Sequence, residues 1–407
     1  MNVQFAALRL AWRNILRNRR RSLVTILIAT VGCLSILVAS GFALYTYDMV
    51  RESSAGEFGH ITVAGKDYFT RDEETPLQYG ISDHRELTAA LLKEASVKRI
   101  LPRVSLSGLV SNGDKSVIFL GIGADVPGEA EVRGDILKLE AGSLTGKPGD
   151  PPAVLLGVDL AKSLNAKPGT GLTLLATTTS GGINAVDVMV AGIVSTGWRE
   201  VDKRLVYTDV GTAQHLLVSD RVSTLSVYLD STDATPAALE RLAMADPAHA
   251  YQPWWVQAFF YHSVRGLYDR VFGLLGLIIG MLVFFSVVNT LAMAVVERTR
   301  EIGTMRAMGA MPGEIVAQFL REGALIGAVG ALLGTLLAAG IVLASPHTGL
   351  QMPPPPGRSV GYPLLVIATL PLYLITNTGI ISLCAAAAWF ASRKAAKKPI
   401  VEALAHV

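Results

Sequence analysis

The chain has 407 residues, of which 51% are hydrophobic and only 17% are charged, and its formal net charge is +3. Because soluble domains carry about 25% charged residues, this composition excludes an ordinary soluble protein and indicates a membrane protein, and the small net charge gives no reason to expect a nucleic-acid partner. Cys33 and Cys384 both lie in apolar runs, which favours two buried thiols over a disulfide framework or a metal site.

Residues 1–22 form a basic amphipathic segment. Its apolar residues recur at helical spacing and its arginines fall four apart on another face; they are Phe5, Leu8, Trp12, Ile15 and Leu16, and Arg9, Arg13 and Arg17. The pattern predicts a helix on the cytoplasmic leaflet. The alternative is a positively charged flank that only orients the first span, and in neither case does the segment carry chemistry.

Four apolar stretches are long enough to cross a bilayer as helices, which needs about 20 residues. They cover residues 23–47, 271–296, 324–344 and 364–390. The first run is longer than the apolar part of a signal peptide, so we predict an uncleaved anchor. None of the four contains Asp, Glu, Lys, Arg or His, and ion-coupled transporters usually keep such groups at membrane depth. If this protein transports, we expect its energy source to lie elsewhere.

Basic residues predict the orientation of the spans. They cluster before the first span, between the second and third, and in the tail 391–407, whereas the loop 345–363 offers only Arg358 beside a proline run. Cytoplasmic loops carry the excess of Lys and Arg. We therefore predict a multi-pass protein of the inner (plasma) membrane with both termini cytoplasmic and residues 48–262 on the periplasmic or extracellular side.

The sequence pattern of residues 48–262 predicts a large mixed α/β domain between the first two spans. Strands are predicted at 60–64, 117–122, 153–156, 172–176, 185–194 and 225–229, and helices at 86–94, 160–164, 210–217 and 237–242. In the clearest strand, Val186, Val188 and Val190 alternate with polar or exposed positions. A cluster of Gly and Pro at 135–152 suggests a junction between two lobes. Trp254 and Trp255, near the second span, are either interfacial anchors or part of the domain core.

Residues that could support catalysis are missing from the sequence. The nearest match to a phosphate-binding loop, at 108–116, is broken by Asp114, and there is no zinc-protease, Cys–His or nucleophile-elbow motif. The histidines are scattered. We predict a non-catalytic chain without metal ligands, and an outer-face enzyme anchored in the membrane is the disfavoured alternative.

The segment 297–322, between the second and third spans, carries the functional argument, and we call it the elbow. As a helix it can pair Glu297 with Arg300 and Arg298 with Glu301. Gly309 is typical of a helix end, and Pro312 begins the next helix with Glu314 in its first turn. The pattern predicts that the second span continues into a charged helix, turns and re-enters as the third; the alternative is a solvated loop without a role.

The elbow run E-R-T-R-E-I-G-T-M-R-A-M-G-A (297–310) resembles the signature of FtsX/MacB/LolC-type permeases, the membrane subunits of type VII ABC transporters. The segments 8–22, 190–209 and 398–404 are also similar to that family. The resemblance implies four transmembrane helices, a MacB-like periplasmic core domain after the first helix, and an elbow that contacts a separate ABC ATPase. The residues assigned to this coupling are Glu297, Arg298, Arg300, Glu301, Ile302, Met305, Arg306 and Gly309.

The resemblance also implies partners. Two permeases, identical or paralogous, sit on two copies of the ATPase, which holds ATP and Mg²⁺, so no cofactor is expected on this chain. The length and domain order favour a lipoprotein-releasing permease, which would hand cargo to a lipoprotein chaperone. A two-gene MacB-like exporter of peptides or drugs with a periplasmic adaptor is the alternative, and a membrane-anchored ligand-binding receptor is the alternative of another class.

Small and polar residues within the spans predict helix contacts. Glycines four residues apart allow close approach between helices and suggest the contact between two permeases; they are Gly276 and Gly280, Gly323 and Gly327, and Gly330 and Gly334. Asn289 and Asn377 also lie within spans and need hydrogen-bond partners, for which other helices are better candidates than cargo.

Overall fold

The structure is a computed structural model, and it describes residues 19–133, 137–146, 151–353, 361–397 and 399–400. Most of the predicted amphipathic segment 1–22 and of the family-like tail 398–404 therefore lies outside the described residues, as does Arg358. The chain divides into two compact units. The helical unit comprises Met1–Tyr47, Arg265–Gln351 and Pro363–Val407, and the α/β unit comprises Asp48–Val264 with Met352–Tyr362.

The elements are numbered in chain order. The helices are α1 (Arg19–Phe58), α2 (His84–Leu91), α3 (Val126–Arg133), α4 (Val158–Ser163), α5 (Arg199–Asp202), α6 (Val210–Leu217), α7 (Thr235–Ala245), α8 (Trp254–Gln257), α9 (Phe259–Glu297), α10 (Thr299–Ala307), α11 (Pro312–Ala344) and α12 (Leu370–Ala396). The strands are β1 (Ile61–Gly65), β2 (Val97–Ser111), β3 (Ser116–Ala124), β4 (Lys138–Gly142), β5 (Ala153–Gly157), β6 (Gly171–Thr177), β7 (Ile183–Ser195), β8 (Leu205–Thr208), β9 (Thr224–Leu229), β10 (His249–Pro253), β11 (Gln351–Met352) and β12 (Tyr362–Pro363).

Among the described residues, four helices are long and apolar enough to cross a membrane, namely α1, α9, α11 and α12. The α/β domain follows the first of them, so the predicted fold class is confirmed. The first three helices extend beyond the predicted apolar runs. The fourth begins later than the predicted residue 364, because Pro371 suits only the first turn of a helix, where its missing N–H costs nothing.

One mixed ten-stranded sheet organises the α/β unit. Its order is β10-β1-β9-β2-β3-β8-β5-β7-β4, with β6 joined to β2 and β7. The pairs β3–β8 and β5–β7 are parallel and the other pairs are antiparallel. In β7, Val186, Val188 and Val190 are buried as their alternation predicts. Strands from both sides of residues 135–152 belong to this sheet, and the division into two lobes stays a prediction.

The helices of the α/β unit cover the sheet through short apolar faces. In α6, the carboxylate of Asp209 accepts the amide hydrogen of Thr212 at 2.8 Å and so caps the start of the helix. Ala213, Leu216 and Leu217 of α6 enter the main hydrophobic core. That core also takes side chains from β1, β2, β3 and β5 to β9, and a smaller apolar cluster around Tyr207 lies in the same unit.

A buried ion cluster lies within this domain. The guanidinium of Arg103 on β2 contacts Glu129 on α3 through Nε–Oε1 at 2.6 Å and Nη2–Oε2 at 2.8 Å. Nε of Arg133 lies 2.9 Å from Oε2 of the same carboxylate, which is fully buried. Burial by itself raises the pKa of Glu129, but the two arginines outweigh burial and hold that pKa below its ordinary value.

The ion cluster binds the C-terminal end of α1. Arg103 Nη1 and Arg133 Nη2 donate to the carbonyl of Glu57 at 2.7 and 2.9 Å, and the Tyr228 hydroxyl donates to the carbonyl of Gly56 at 3.1 Å. The last carbonyls of a helix have no partner within the helix and carry partial negative charge. The two arginines supply both the missing hydrogen-bond donors and a compensating positive charge. The last turn of α1 is therefore fixed to the α/β domain.

Trp254 adds an apolar contact to the same helix end. It is buried with Ala55 of α1, Ala258 and Tyr261, and its ring centroid lies 4.9 Å from that of Tyr261. Of the two environments left open by the sequence, the structure places Trp254 in the interior of the α/β unit.

Candidate coupling site

The elbow has the helix–turn–helix form that its sequence predicts. Arg298 leaves the helical conformation between α9 and α10 and serves as the N-terminal cap residue of α10. The helix ends with Gly309 at φ +98°, a conformation that glycine adopts without strain. Pro312 then begins α11.

Backbone hydrogen bonds fix the turn between α10 and α11. The amide of Gly309 donates to the carbonyl of Arg306 and that of Ala310 to the carbonyl of Met305, both at 3.0 Å. This pair of bonds is the Schellman arrangement that closes a helix at a glycine. On the other side, the amide of Met311 donates to the Glu314 carboxylate at 3.0 Å. The turn is therefore defined by local chemistry on both sides.

Arg298 fastens the elbow to the third apolar helix. Its Nε donates to Glu301 at 3.0 Å, and its Nη1 donates to the carboxylate of Glu322 on α11 at 3.2 Å. Its guanidinium carbon also lies 5.3 Å from the ring centroid of Phe319. Burial lowers the pKa of Arg298, but the two carboxylates raise it above its ordinary value, so its guanidinium stays charged.

An apolar cluster lies beneath this ion pair. It joins Val295 from α9, Ile302 from α10, Ile315 and Phe319 from α11, and Ala396 from α12. Three of the four apolar helices thus meet at the elbow. A force applied to α10 would reach all three through packed side chains, because close-packed interiors deform little.

The opposite face of α10 is exposed. Arg300, Thr304 and Met308 follow one another at intervals of four residues on that face, and Met311 extends it beyond the turn. Met308 is 77% exposed and Met311 69% exposed. We call these four residues the coupling face.

The residues predicted for coupling separate into two groups in the structure. Arg298, Ile302 and Met305 lie inside the elbow, where they hold it together. Others are exposed or partly exposed, with Gly309 at the turn; they are Glu297, Arg300, Glu301 and Arg306. The predicted pair Arg298–Glu301 is present. Sequence reasoning missed Glu322 as the second partner of Arg298, and it missed the exposure of Met308 and Met311.

The glycines of the third apolar helix pack within the chain. A Cβ added at Gly330 or Gly334 would lie 2.6 Å from Cβ of Ala29 or 2.7 Å from Cβ of Cys33, both on α1. One added at Gly323 or Gly327 would similarly meet α12, at 2.5 Å from Ala388 Cβ or 2.9 Å from Cys384 Cβ. These four glycines therefore form helix contacts within the chain, and their use in a contact between two permeases stays a prediction.

The two glycines of the second apolar helix differ from those of the third. No atom of the described residues comes within 4 Å of a Cβ added at Gly276, and Gly280 meets only Leu383 at 4.0 Å. The small-residue contact that the sequence suggests is thus not formed by α9 in the described part of the chain.

Cys33 and Cys384 are buried free thiols, as expected.

We predict that Gly330→Leu destabilises the helical unit by about 1–3 kcal/mol, because the larger side chain overlaps Ala29 on α1. Gly340→Leu is the matched control, since it lies on the same helix with no described atom within 4 Å of its added Cβ. The measurement is unfolding of the purified chain in mixed micelles of increasing denaturing detergent. Equal effects of the two substitutions would contradict the close packing of α11 on α1.

Together these features define a four-helix membrane protein of the permease class, with an inserted α/β domain and an elbow joined to three apolar helices. The MacB-like periplasmic core domain family matches residues 22–245, and the FtsX-like permease C-terminal family matches residues 273–400. The chain belongs to the ABC transporter permeases of the LolC/LolE/MacB type.

Similar proteins include both branches of that family. The lipoprotein-releasing system transmembrane protein LolC of Xylella fastidiosa is 25% identical over 79% of this chain and 73% of its own length. The macrolide export ATP-binding/permease protein MacB of Neisseria gonorrhoeae is 25% identical over 85% of this chain and 54% of its own length. The crystallised periplasmic region of MacB from Actinobacillus actinomycetemcomitans aligns with TM-score 0.34 and 18% identity, covering 48% of this chain and 89% of that region.

Proposed function

We propose that this chain is a non-catalytic membrane subunit that receives mechanical work from a separate ABC ATPase through its coupling face and uses it to release or export a substrate on the periplasmic side. The observation that carries the proposal is the elbow. Its coupling face is exposed, while Arg298 and the apolar cluster join its other face to three apolar helices.

In this proposal the ATPase supplies the nucleotide chemistry. ATP and Mg²⁺ bind to the partner, since the chain's sequence lacks an intact phosphate-binding loop. The elbow and both termini face the cytoplasm, in agreement with the basic residues near them. The active assembly contains a second permease copy or a paralogue, together with two ATPase subunits.

Release of lipoproteins from the inner membrane is the first candidate for the work performed, with a periplasmic chaperone as acceptor. The similarity to LolC supports it, because the alignment covers most of both proteins. Export of peptides or drugs through a periplasmic adaptor is the second candidate, and the similarity to MacB over 85% of this chain supports it.

The test begins with the tagged chain purified from native membranes and photolabelled with an azido analogue of ATP. We expect the label on a co-purified ATPase and none on this chain. In proteoliposomes, ATP hydrolysis by that ATPase should depend on the chain, and charge reversal at Arg300 or Glu301 should reduce the dependence without preventing insertion. The proposal would be refuted if this chain itself were labelled. It would also be refuted if the rate of ATP hydrolysis by the ATPase were the same with and without this chain.

A further inference from the structure

His60 lies at the joint between α1 and the sheet. Gly59 and His60 connect the end of α1 to the start of β1, and we call these two residues the joint. The carbonyl of His60 accepts the amide hydrogen of Trp254 at 3.1 Å. Its half-buried ring lies edge-on to the ring of Tyr228, with 6.2 Å between the two centroids. The ring thus contacts β9 at the point where the chain passes from α1 into the sheet.

Two hydrogen bonds define the protonation state of the His60 ring. The amide of Leu229 on β9 donates to Nδ1 at 3.2 Å, so Nδ1 carries a lone pair. The ring proton then lies on Nε2, which donates to the hydroxyl of Thr232 at 3.0 Å. That hydroxyl in turn donates to the carboxylate of Glu52 on α1 at 2.8 Å. The neutral ring therefore links β9 to α1 through a chain of three hydrogen bonds.

A second ring proton is incompatible with this arrangement. It would bind at Nδ1 and point at the amide hydrogen of Leu229, and a backbone amide can only donate. Either the ring turns or the strand moves away, and in both cases the amide loses this acceptor. A protonated His60 and the bond from Leu229 therefore exclude each other.

Charged and titratable groups reach His60 from α1, from β9 and from the turn that follows β9. On α1, the Glu52 carboxylate favours the protonated ring, whereas the Arg51 guanidinium, which pairs with Asp233 of the turn, disfavours it. Tyr228 on β9 stays neutral, because burial raises its pKa to about 12. Burial has the largest effect on the ring itself, so the pKa of His60 lies below its ordinary value of 6.5.

We propose that His60 is an acid-sensitive switch, which fastens the joint to β9 while its ring is neutral and loosens it when the ring takes up a proton. The loosening is partial, because Arg103 and Arg133 still hold the carbonyl of Glu57. The domain stays folded, and the attachment of α1 to it responds to the pH of the periplasm. All of these groups belong to the α/β unit, so the switch does not depend on whether the chain works with an ATPase.

The pH range of the switch follows from the direction of the pKa shift. Since folding lowers the pKa of His60, the folded chain binds fewer protons than the unfolded chain. The contribution of the neutral ring to stability is fully present above 6.5 and is lost as the pH falls through the lower pKa of the folded state. Glu129 contributes fully down to its ordinary value of 4.5, so the two groups respond in different ranges.

The test follows hydrogen–deuterium exchange of the purified full-length chain in steps from about pH 8 to about pH 5, with times scaled for the intrinsic pH dependence of exchange. Peptides from β9 and from the end of α1 are expected to exchange roughly 3- to 10-fold faster at the acid end. His60→Asn keeps an acceptor for the Leu229 amide but takes up no proton, so its profile should be flat. His215→Asn, the same change at an exposed histidine of α6, is the matched control and should keep the acid response.

Glu52→Gln separates a switch from a merely structural role. The substitution keeps an acceptor for Thr232 but removes the charge that favours the protonated ring, so the rise in exchange should move to lower pH. A flat profile in the unsubstituted chain, or a full acid response in His60→Asn, would overturn the proposal. Should His60→Asn not fold, the Glu52→Gln profile decides, because an unchanged midpoint there also contradicts the switch.

Discussion

Replacing Glu129 with glutamine is expected to destabilise the α/β unit by about 3–5 kcal/mol, because Arg103 and Arg133 would stay buried without their shared carboxylate. The last turn of α1 should loosen as well, since the two arginines also bind the carbonyl of Glu57. Hydrogen–deuterium exchange of the purified full-length chain measures both effects, through peptides from β2 and from the end of α1.

Glu131→Gln is the matched control, with the same chemical change two residues further along α3. Glu131 pairs with Arg99 at 2.7 Å, but its side chain is largely exposed. Exposed ion pairs contribute only about 0.2–1 kcal/mol, so exchange in β2 should change little. Equal effects of the two substitutions would show that the buried cluster does not stabilise the domain.

The same cluster determines how the domain responds to acid. The pKa of Glu129 is held below its ordinary value of 4.5, so its contribution to stability is fully present above that pH. The contribution is lost as the pH falls through the lower pKa of the folded state, because the carboxyl then takes up a proton. Glu129→Gln removes this part of the pH dependence while lowering stability at neutral pH.

Replacing Met308 and Met311 together with aspartate is expected to weaken ATPase binding roughly 30-fold or more and to abolish stimulation of ATP hydrolysis. The two methionines form the most exposed apolar part of the coupling face, and truncating a central apolar anchor of an interface typically has an effect of this size. Methionine also adapts its shape to a partner surface. Binding to the purified ATPase and stimulated hydrolysis in proteoliposomes are the measurements.

Met244→Asp provides the control for this double substitution. Met244 lies on α7 of the α/β unit and is 78% exposed, so it presents a methionine equally accessible to solvent in the other unit of the chain. We expect no change in ATPase binding. If the double aspartate variant bound and stimulated the ATPase normally, the coupling face would have to lie elsewhere.

The shape of the elbow could be predicted from sequence because its determinants are local. Gly309, Pro312 and Glu314 act on backbone groups within a few residues of themselves. The partner of Arg298 could not be predicted in the same way, since Glu322 is 24 residues away and reaches it only after the turn has formed. Local spacing finds pairs three or four residues apart and no others.

The α/β unit shows the same contrast. Alternating valines predicted β7, but the 15-residue strand β2 was missed, since Pro102 and three basic residues interrupt its apolar pattern. One of them, Arg103, points inward because its guanidinium pairs there with the Glu129 carboxylate and donates to the carbonyl of Glu57 at the end of α1. A charge in a strand normally indicates a solvent-facing position, and only the tertiary partner reverses that expectation.

The glycines of α11 illustrate a further limit. Their spacing predicted close helix contacts, which the structure contains, but spacing does not say which helix approaches. Helix α1 packs against Gly330 and Gly334, while α12 packs against Gly323 and Gly327.

The continuity of α1 has a mechanical consequence. Its 40 residues span about 60 Å at 1.5 Å per residue, roughly twice the hydrocarbon thickness of a bilayer. The last turn of this helix belongs to the α/β unit. Because the guanidinium groups of Arg103 and Arg133 both hold the carbonyl of Glu57, any displacement of that turn would carry β2 and α3 with it.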